Sequence, residues 1–330
     1  MTSPLIDSSA LTKAKEKLLD GDVVAIPTET VYGLAASINS EKGLRKIFSL
    51  KERPFFDPLI VHVASFKEAA SLVKEWPPLA DYLARVFWPG PLTLVLPKAD
   101  HVNPLITSGL ETVAIRYPSH SLAQDLIRLV GTPLAAPSAN KFGHTSPSTA
   151  DHVRSEFPGT SLLILEGGDC DVGVESTVIS FVQSPSGQTD IEILRPGGVT
   201  EESLRAAIGK WSNPVEIRRA SSEASPGHLK HHYMPAIPLI ILEDEDGLST
   251  ARRKDLTTRL KLKSLLNPVE LRLDENPQQA ARELYSSMRA ISESGADLIY
   301  VIKSNKTPTD GLWSAIWDRL TRAASLTLPA

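Results

Sequence analysis

The chain has 330 residues, 35 basic and 39 acidic side chains for a formal net charge of −4, and one cysteine. That length suits about two domains, each able to bury its own core; a single cysteine excludes an intramolecular disulfide and a cysteine-built zinc site, and no uncharged apolar stretch nears the roughly 20 residues that cross a bilayer. Residues 1–214 carry 19 basic and 24 acidic groups (−5), residues 215–238 carry 3 and 2 (+1) and residues 239–330 carry 13 and 13, so neither half is a polycation and any RNA contact needs a local basic patch.

The amino terminus, Met1-Thr2-Ser3-Pro4-Leu5-Ile6, lacks the basic and apolar regions of a secretion signal, so a cytoplasmic protein is expected. Ser8 to Asp20 places Leu11, Ala14, Leu18 and Leu19 on one helical face behind a serine cap. Val23 to Ile26 is a short apolar strand stopped by Pro27, and Ser40 to Leu50 returns to helical spacing. Strand patterns follow at 59–63, 92–96, 112–116, 162–165 and 176–181, among helical patterns at 66–75, 79–87, 120–130 and 200–210. This mixture predicts one α/β domain over residues 1–211. Residues 212–238, with Pro226-Gly227, Pro235 and Pro238, break the pattern and read as a linker. Residues 239–330 alternate strands at 239–242, 269–273 and 298–302 with helices at 250–265, 277–293 and 311–323, which predicts a small parallel sheet.

No P-loop, G-x-G-x-x-G, H-E-x-x-H or G-x-S-x-G motif is present. What stands out is polar residues at the ends of apolar strands: Pro27 to Gly33, Lys51 to Pro54, His62, Thr112, Arg116, Pro137 to Asn140, Ser146, Ser176 and Arg195. Taken singly, His62 suits a core histidine, Arg116 a surface ion pair, Lys51 and Arg53 solvated charges at a helix end, and Ser138 with Asn140 a turn or helix cap. Together they make a group of cations, hydroxyls and one amide with no obvious nucleophile. Such a set suits two anionic ligands, a nucleotide and a carboxylate, with electrostatic positioning in place of covalent catalysis.

The segments Val24-Ala25-Ile26-Pro27-Thr28-Glu29-Thr30-Val31-Tyr32-Gly33-Leu34, Lys51-Glu52-Arg53-Pro54, Pro58-Leu59-Ile60-Val61-His62-Val63, Trp88-Pro89-Gly90-Pro91-Leu92-Thr93, Ala114-Ile115-Arg116-Tyr117-Pro118, Ala136-Pro137-Ser138-Ala139-Asn140, Glu175-Ser176-Thr177-Val178 and Leu194-Arg195-Pro196-Gly197 closely resemble the YrdC-like domain of threonylcarbamoyl-AMP synthases. The stretch from Ser225 to Pro235, followed by a small α/β domain, is similar to the long, two-domain type of that family. The resemblance implies a twisted mixed sheet flanked by helices, then a lid-like linker, then a Rossmann-like parallel α/β domain. It implies an ATP-dependent nucleotidyltransferase that makes threonylcarbamoyl-AMP and pyrophosphate from L-threonine, bicarbonate and ATP, with Mg2+ carried by ATP and no metal held by the protein. A tRNA-modifying threonylcarbamoyl transferase complex would take the product downstream, with at most a weak tRNA contact by this chain and no membrane partner. By motif position, Lys51, Arg53, Ser138 and Asn140 would surround the triphosphate, and Thr30, His62, Arg116 and Ser176 would form the threonine pocket. Asp57, Thr112, Ser146, Arg195 and Tyr233 would be further ATP contacts.

This chain departs from the family pattern at Asp57, where asparagine is usual, and in the linker at His228 and Met234. A carboxylate beside a triphosphate repels it unless it faces magnesium or another cation. Histidines 228, 231 and 232 have no acidic or cysteine partner nearby to suggest a metal site. Cys170 lies between Asp169 and Asp171, whose charges raise its pKa and disfavour a nucleophilic role. The alternative to a synthase is a noncatalytic double-stranded RNA-binding module. The net negative charge of residues 1–214 weighs against it.

Overall fold

The computed structural model describes residues 8–183, 187–220, 232–243, 248, 250–262, 266–304 and 307–328. The chain forms two compact units, one of residues 1–142 and 147–228 and one of residues 143–146 and 229–330.

In the first unit, helix α1 (Ser8–Leu19) leads to β1 (Val24–Ile26), β2 (Gly33–Ser37), α2 (Glu41–Lys51), β3 (Ile60–His62), α3 (Phe66–Ser71), α4 (Pro78–Phe87) and β4 (Leu92–Pro97). Then come α5 (Pro104–Thr107), β5 (Thr112–Arg116), α6 (Ser121–Val130), β6 (Leu134–Ala135), α7 (Ala150–Glu156), β7 (Leu163–Ile164), β8 (Thr177–Gln183), β9 (Thr189–Arg195), α8 (Glu201–Ile208) and β10 (Ile217–Arg219). The ten strands make one mixed sheet in the order β10-β9-β8-β4-β5-β3-β6-β2-β1-β7. Its two faces are legible in β1. Ala25 packs into a large core with Leu34, Ile47, Phe48 and Leu94, while its neighbours Val24 and Ile26 join a second core with Leu11, Leu18, Leu126 and Ile127. That alternation is the period of two that a strand covered on both faces shows.

The helices that cover the sheet carry local signals for their ends. Ser40 caps α2 by accepting from Gly43 N–H at 3.1 Å, and α2 stops at Glu52 in the left-handed region, which places Lys51 at its last turn. Gly131, at φ 76°, closes α6 where a side chain would be strained. Among the described residues no helix is long and apolar enough to cross a membrane.

The second unit contains β11 (Leu239–Leu242), α9 (Thr250–Arg259), β12 (Pro268–Glu270), α10 (Pro277–Glu293), β13 (Leu298–Ile302), α11 (Leu312–Ala323) and β14 (Leu326–Leu328). Its sheet, in the order β12-β13-β11-β14, is parallel throughout, as the strand and helix alternation predicts. Ile240, Leu242, Leu256, Leu298 and Leu328 form its core. The backbone of Met234 pairs with residues 143–145: Met234 N–H donates to Gly143 O at 2.7 Å, and Thr145 N–H donates to Met234 O at 3.1 Å.

The structure adds elements that the periodicity does not reveal, namely β2, α5, β6, α7, β9, β10 and β14. Strand β2 is Gly-Leu-Ala-Ala-Ser, with no β-branched or aromatic residue to mark it. Strand β10 lies inside the stretch that reads as linker. It is an edge strand held parallel to β9, and two of its three residues are exposed arginines, so it carries no apolar run. Residues 221–231 of the expected linker lie outside the described residues.

One close approach sets the backbone beneath the later site. A Cβ on Gly197 would stand 2.3 Å from Glu175 O and 2.4 Å from Thr177 N, so only glycine lets this turn pass under residues 175–177. Gly197→Ala is expected to destabilise the protein by about 2 kcal/mol or more, read as a lower urea midpoint. An unchanged midpoint would show that the backbone there shifts freely.

Candidate active site

Strand register brings polar side chains to one level of the first unit's sheet. His62, at the end of β3, is the register partner of Arg116, at the end of β5. Arg116 is in turn opposite Thr93 on β4. Register partners on neighbouring strands project to the same face, so the three side chains stand in a row, and all are buried.

Loop 27–33 packs onto that row. Arg116 Nη1 donates to Thr30 Oγ1 at 2.9 Å, and Arg116 Nη2 lies 2.8 Å from Glu29 Oε1. The second oxygen of Glu29 accepts from Ser119 N–H at 3.1 Å. Thr28 shapes the loop locally: its hydroxyl donates to Val31 O at 2.6 Å and accepts from the N–H groups of Thr30 and Val31 at 3.2 Å. On the other side of the row, Thr93 Oγ1 and Ser176 Oγ are 2.8 Å apart. Arg195 Nη2 donates to Ser176 O at 3.0 Å and to Ser176 Oγ at 3.2 Å. Arg116 Nε has no hydrogen-bond partner among the described residues. A buried donor in that condition marks the edge of the guanidinium where an anionic ligand fits.

Burial, and then the Arg116 charge, push the His62 pKa down to about 3, so the ring is neutral at physiological pH. Its Nδ1 lies 3.3 Å from Ile60 O. Because a carbonyl can only accept, we assign the proton to Nδ1, which leaves Nε2 as an acceptor.

A second group gathers where α2 ends. Lys51 is buried, and its Nζ donates to Ser138 O at 2.6 Å and to Asn140 O at 2.5 Å. Burial and the neighbouring Arg53 charge hold its pKa well below the ordinary lysine value. Arg53 donates from Nε to Asp57 O at 3.1 Å and from Nη2 to Pro58 O at 2.9 Å, and Nη2 is 2.8 Å from Asp57 Oδ2. The two groups are joined by backbone: Ala139 N–H donates to Tyr32 O at 2.8 Å and Leu34 N–H to Pro137 O at 2.7 Å. Loop 27–33 thus runs beside loop 137–140.

The structure therefore assembles Thr30, His62, Arg116 and Ser176 as one cluster and Lys51, Arg53, Ser138 and Asn140 as another. Arg195, expected among the ATP contacts, sits on Ser176 in the first cluster. Thr112 begins β5, four residues and about 13 Å along the strand from Arg116. Asp57 faces Arg53. Ser146 and Tyr233 belong to the second unit. Ser146 is buried there, and Tyr233, buried at φ 64°, has His232 edge-on at 4.2 Å, Tyr285 stacked at 6.0 Å and the Arg319 guanidinium 5.4 Å from its ring centre. The helix after loop 137–140 is capped by Thr149, which accepts from His152 N–H, and not by Ser138 or Asn140.

Motif reading assigns no role to Glu29, Thr93 or Glu156. Glu29 holds Arg116, and Thr93 meets Ser176. Glu156, in α7, accepts from Lys141 N–H at 3.0 Å beside Asn140. Glu29 stands inside a quoted motif and Thr93 is the lone hydroxyl in an apolar strand, so both left a trace. Glu156 left none, because α7 has no clear periodicity. The Cys170 thiol is pushed up mainly by burial, with the acids of residues 29 and 169 as smaller causes, which agrees with an unreactive side chain. Among the described residues no cluster of three or more His, Cys, Asp or Glu side chains could hold a metal ion, and residues 228 and 231 lie outside them.

The neutral His62 has a consequence for stability. Its folded pKa lies below the unfolded value of 6.5, so between those values the unfolded chain binds a proton that the folded chain refuses, and stability falls as pH falls through that window. Urea unfolding at pH 7 and pH 5 is expected to show a smaller acid loss in His62→Gln than in the native protein. Equal losses would place the proton uptake elsewhere.

A family model described as "Telomere recombination" matches residues 16–197, and one described as "Threonylcarbamoyl-AMP synthase, C-terminal domain" matches residues 199–325. The chain is 38% identical over 317 residues to the threonylcarbamoyl-AMP synthase of Pyrococcus abyssi, covering 92% of this chain and 91% of that one. It is 38% identical over 339 residues to that of Bacillus subtilis, covering 95% and 92%. Among solved structures, P. abyssi Sua5 complexed with L-threonine is similar with a TM-score of 0.82 and 35% identity, over 97% of this chain and 96% of that one. With both domain models matched in order over nearly its whole length, the chain belongs to the threonylcarbamoyl-AMP synthase family.

Proposed function

We propose that this enzyme condenses L-threonine, bicarbonate and ATP into threonylcarbamoyl-AMP and pyrophosphate by nucleotidyl transfer, for use in tRNA modification. The observation that carries the reading is the free Nε edge of Arg116, buried beside a neutral His62 and the hydroxyls of Thr30, Thr93 and Ser176. A carboxylate docked on that edge gains charge-assisted hydrogen bonds without displacing Glu29. The L-threonine bound in the P. abyssi relative supports the same choice of ligand.

In this reading bicarbonate releases hydroxide to give carbon dioxide, the neutral threonine amine adds to its carbon, and the proton that the nitrogen then loses leaves with the hydroxide as water, so that threonine becomes a carbamate. A carbamate oxygen then attacks the α-phosphorus and pyrophosphate leaves. Arg116, Thr30, His62 and Ser176 hold threonine, with Nε2 of His62 accepting a hydrogen bond from it. Lys51, Arg53, Ser138 and Asn140 face the triphosphate. Lys51 contributes in two ways, by fixing the carbonyls of residues 138 and 140 and by presenting its third N–H. Arg195 orders Ser176. Magnesium would enter with ATP, as part of that substrate. Catalysis then rests on positioning and on fixed charge, with no covalent enzyme intermediate.

Incubation of the protein with threonine, bicarbonate and magnesium-ATP tests the reading. Pyrophosphate release that depends on both threonine and bicarbonate, with threonylcarbamoyl-AMP found by mass spectrometry, is the expected result. Release without threonine would refute it. Arg116→Ala is expected to raise the KM for threonine by roughly thirtyfold or more, since it leaves Glu29 and a substrate carboxylate without their cation, while the Kd for ATP changes less than about twofold. A loss confined to ATP binding would exchange the two clusters.

A further inference from the structure

Arg53 and Asp57 meet within a stretch of six residues. The side chains are 7% and 5% exposed. The guanidinium donates to two backbone carbonyls, Asp57 O and Pro58 O, and these neutral acceptors already fix its direction. Asp57 adds something different: Oδ2 stands 2.8 Å from Arg53 Nη2 and makes no hydrogen bond of its own among the described residues. What it contributes is charge. A buried guanidinium with only neutral acceptors is strongly disfavoured, and a carboxylate at ion-pair distance relieves that penalty. The same carboxylate stands in the way of a second anion, because in a poorly solvated site two negative groups on one guanidinium repel each other with little screening.

We propose that Asp57 is a resident anion for Arg53: in the ligand-free enzyme its carboxylate supplies the negative charge that a nucleotide phosphate supplies in the complex. Asp57 thereby holds the empty site together and weakens ATP binding, which sets the ATP affinity of this enzyme below what Lys51 and Arg53 alone would give. The inference rests on the reading that Arg53 meets the triphosphate. It differs from a purely structural role by the sign of its effects. A structural residue, once removed, weakens the empty and the occupied states together. Removing a resident anion weakens the empty state and favours the occupied one.

The test uses the full chain with Asp57→Asn, which keeps the shape and the oxygen acceptor while deleting the charge. ATP binding is measured by calorimetry with magnesium and without threonine, and melting temperature with and without saturating ATP. The expected result is ATP binding tighter by roughly fivefold or more, a lower melting temperature without ligand and a larger rise on adding ATP. Asp57→Ser, also neutral, is expected to shift both readouts in the same direction and serves if Asp57→Asn does not fold. Equal or weaker ATP binding in the neutral variants overturns the proposal. Arg53→Gln separates the two levels of the argument. If it binds ATP as the native protein does, the placement of the triphosphate fails and the proposal fails with it. If it binds ATP weakly while the neutral Asp57 variants gain nothing, the proposal alone fails.

Discussion

A guanidinium cannot leave water without partners, and the first unit is organised around one that has. Arg116 sits at the middle of a ten-stranded sheet, where an unpaired charge would cost several kcal/mol even after relaxation. Its partners come from elsewhere in the chain. Glu29 and Thr30 reach it from loop 27–33, and that loop is tied further by Val172 N–H donating to Glu29 O at 2.8 Å and by Ser119 N–H on the Glu29 carboxylate. Tyr32 of the same loop accepts from Gly167 N–H and donates to Gly168 O, and a Cβ at Gly167 would collide with Pro27. The segments that follow β1 and β5 and precede β8 therefore converge because one buried charge needs them.

The same rule recurs at the other cations. Arg53 has Asp57, and Lys51 has the carbonyls of residues 138 and 140, with Asp57 and, less strongly, Glu156 favouring its charged form against burial. Each positive group is thus held in place by negative or dipolar groups of this chain before any ligand arrives. Such preorganisation makes charge effective in catalysis, because no reorientation is needed as new negative charge develops. It also brings competition, since a group that satisfies a cation in the empty site opposes a ligand seeking the same cation. Arg116 and Arg53 resolve this differently. Arg116 keeps an unoccupied edge, whereas Arg53 directs two of its nitrogens at its own loop.

The strong periodic segments were legible from the sequence. Helix α1, whose expected stripe is buried at Leu11, Ala14 and Leu18 but exposed at Leu19, the helices α6 and α10 and the apolar strands β4, β5 and β13 follow from spacing alone. Short or mixed elements were not. Strand β6 has two residues, β9 alternates charged and apolar side chains, and β10 is arginine-rich. They exist because a neighbouring strand offers its edge, which is a nonlocal cause. Membership of the synthase family was legible too, since the motifs appear as contiguous strings in order.

How the motif residues meet was not legible. The sequence by itself determined which residue types were available: hydroxyls, cations and an amide at the ends of apolar runs, and two α/β blocks with a proline-rich stretch between them. Only the tertiary structure decided that His62, Arg116 and Thr93 share one row, that Glu29 is the counter-ion of Arg116, that Arg195 serves Ser176, and that Asp57 faces Arg53. Periodicity reports burial along one strand or helix. Strand order and register, which carry side chains 23 to 83 positions apart in sequence to the same level of the sheet or into hydrogen-bond range, depend on pairings between segments that no local pattern encodes.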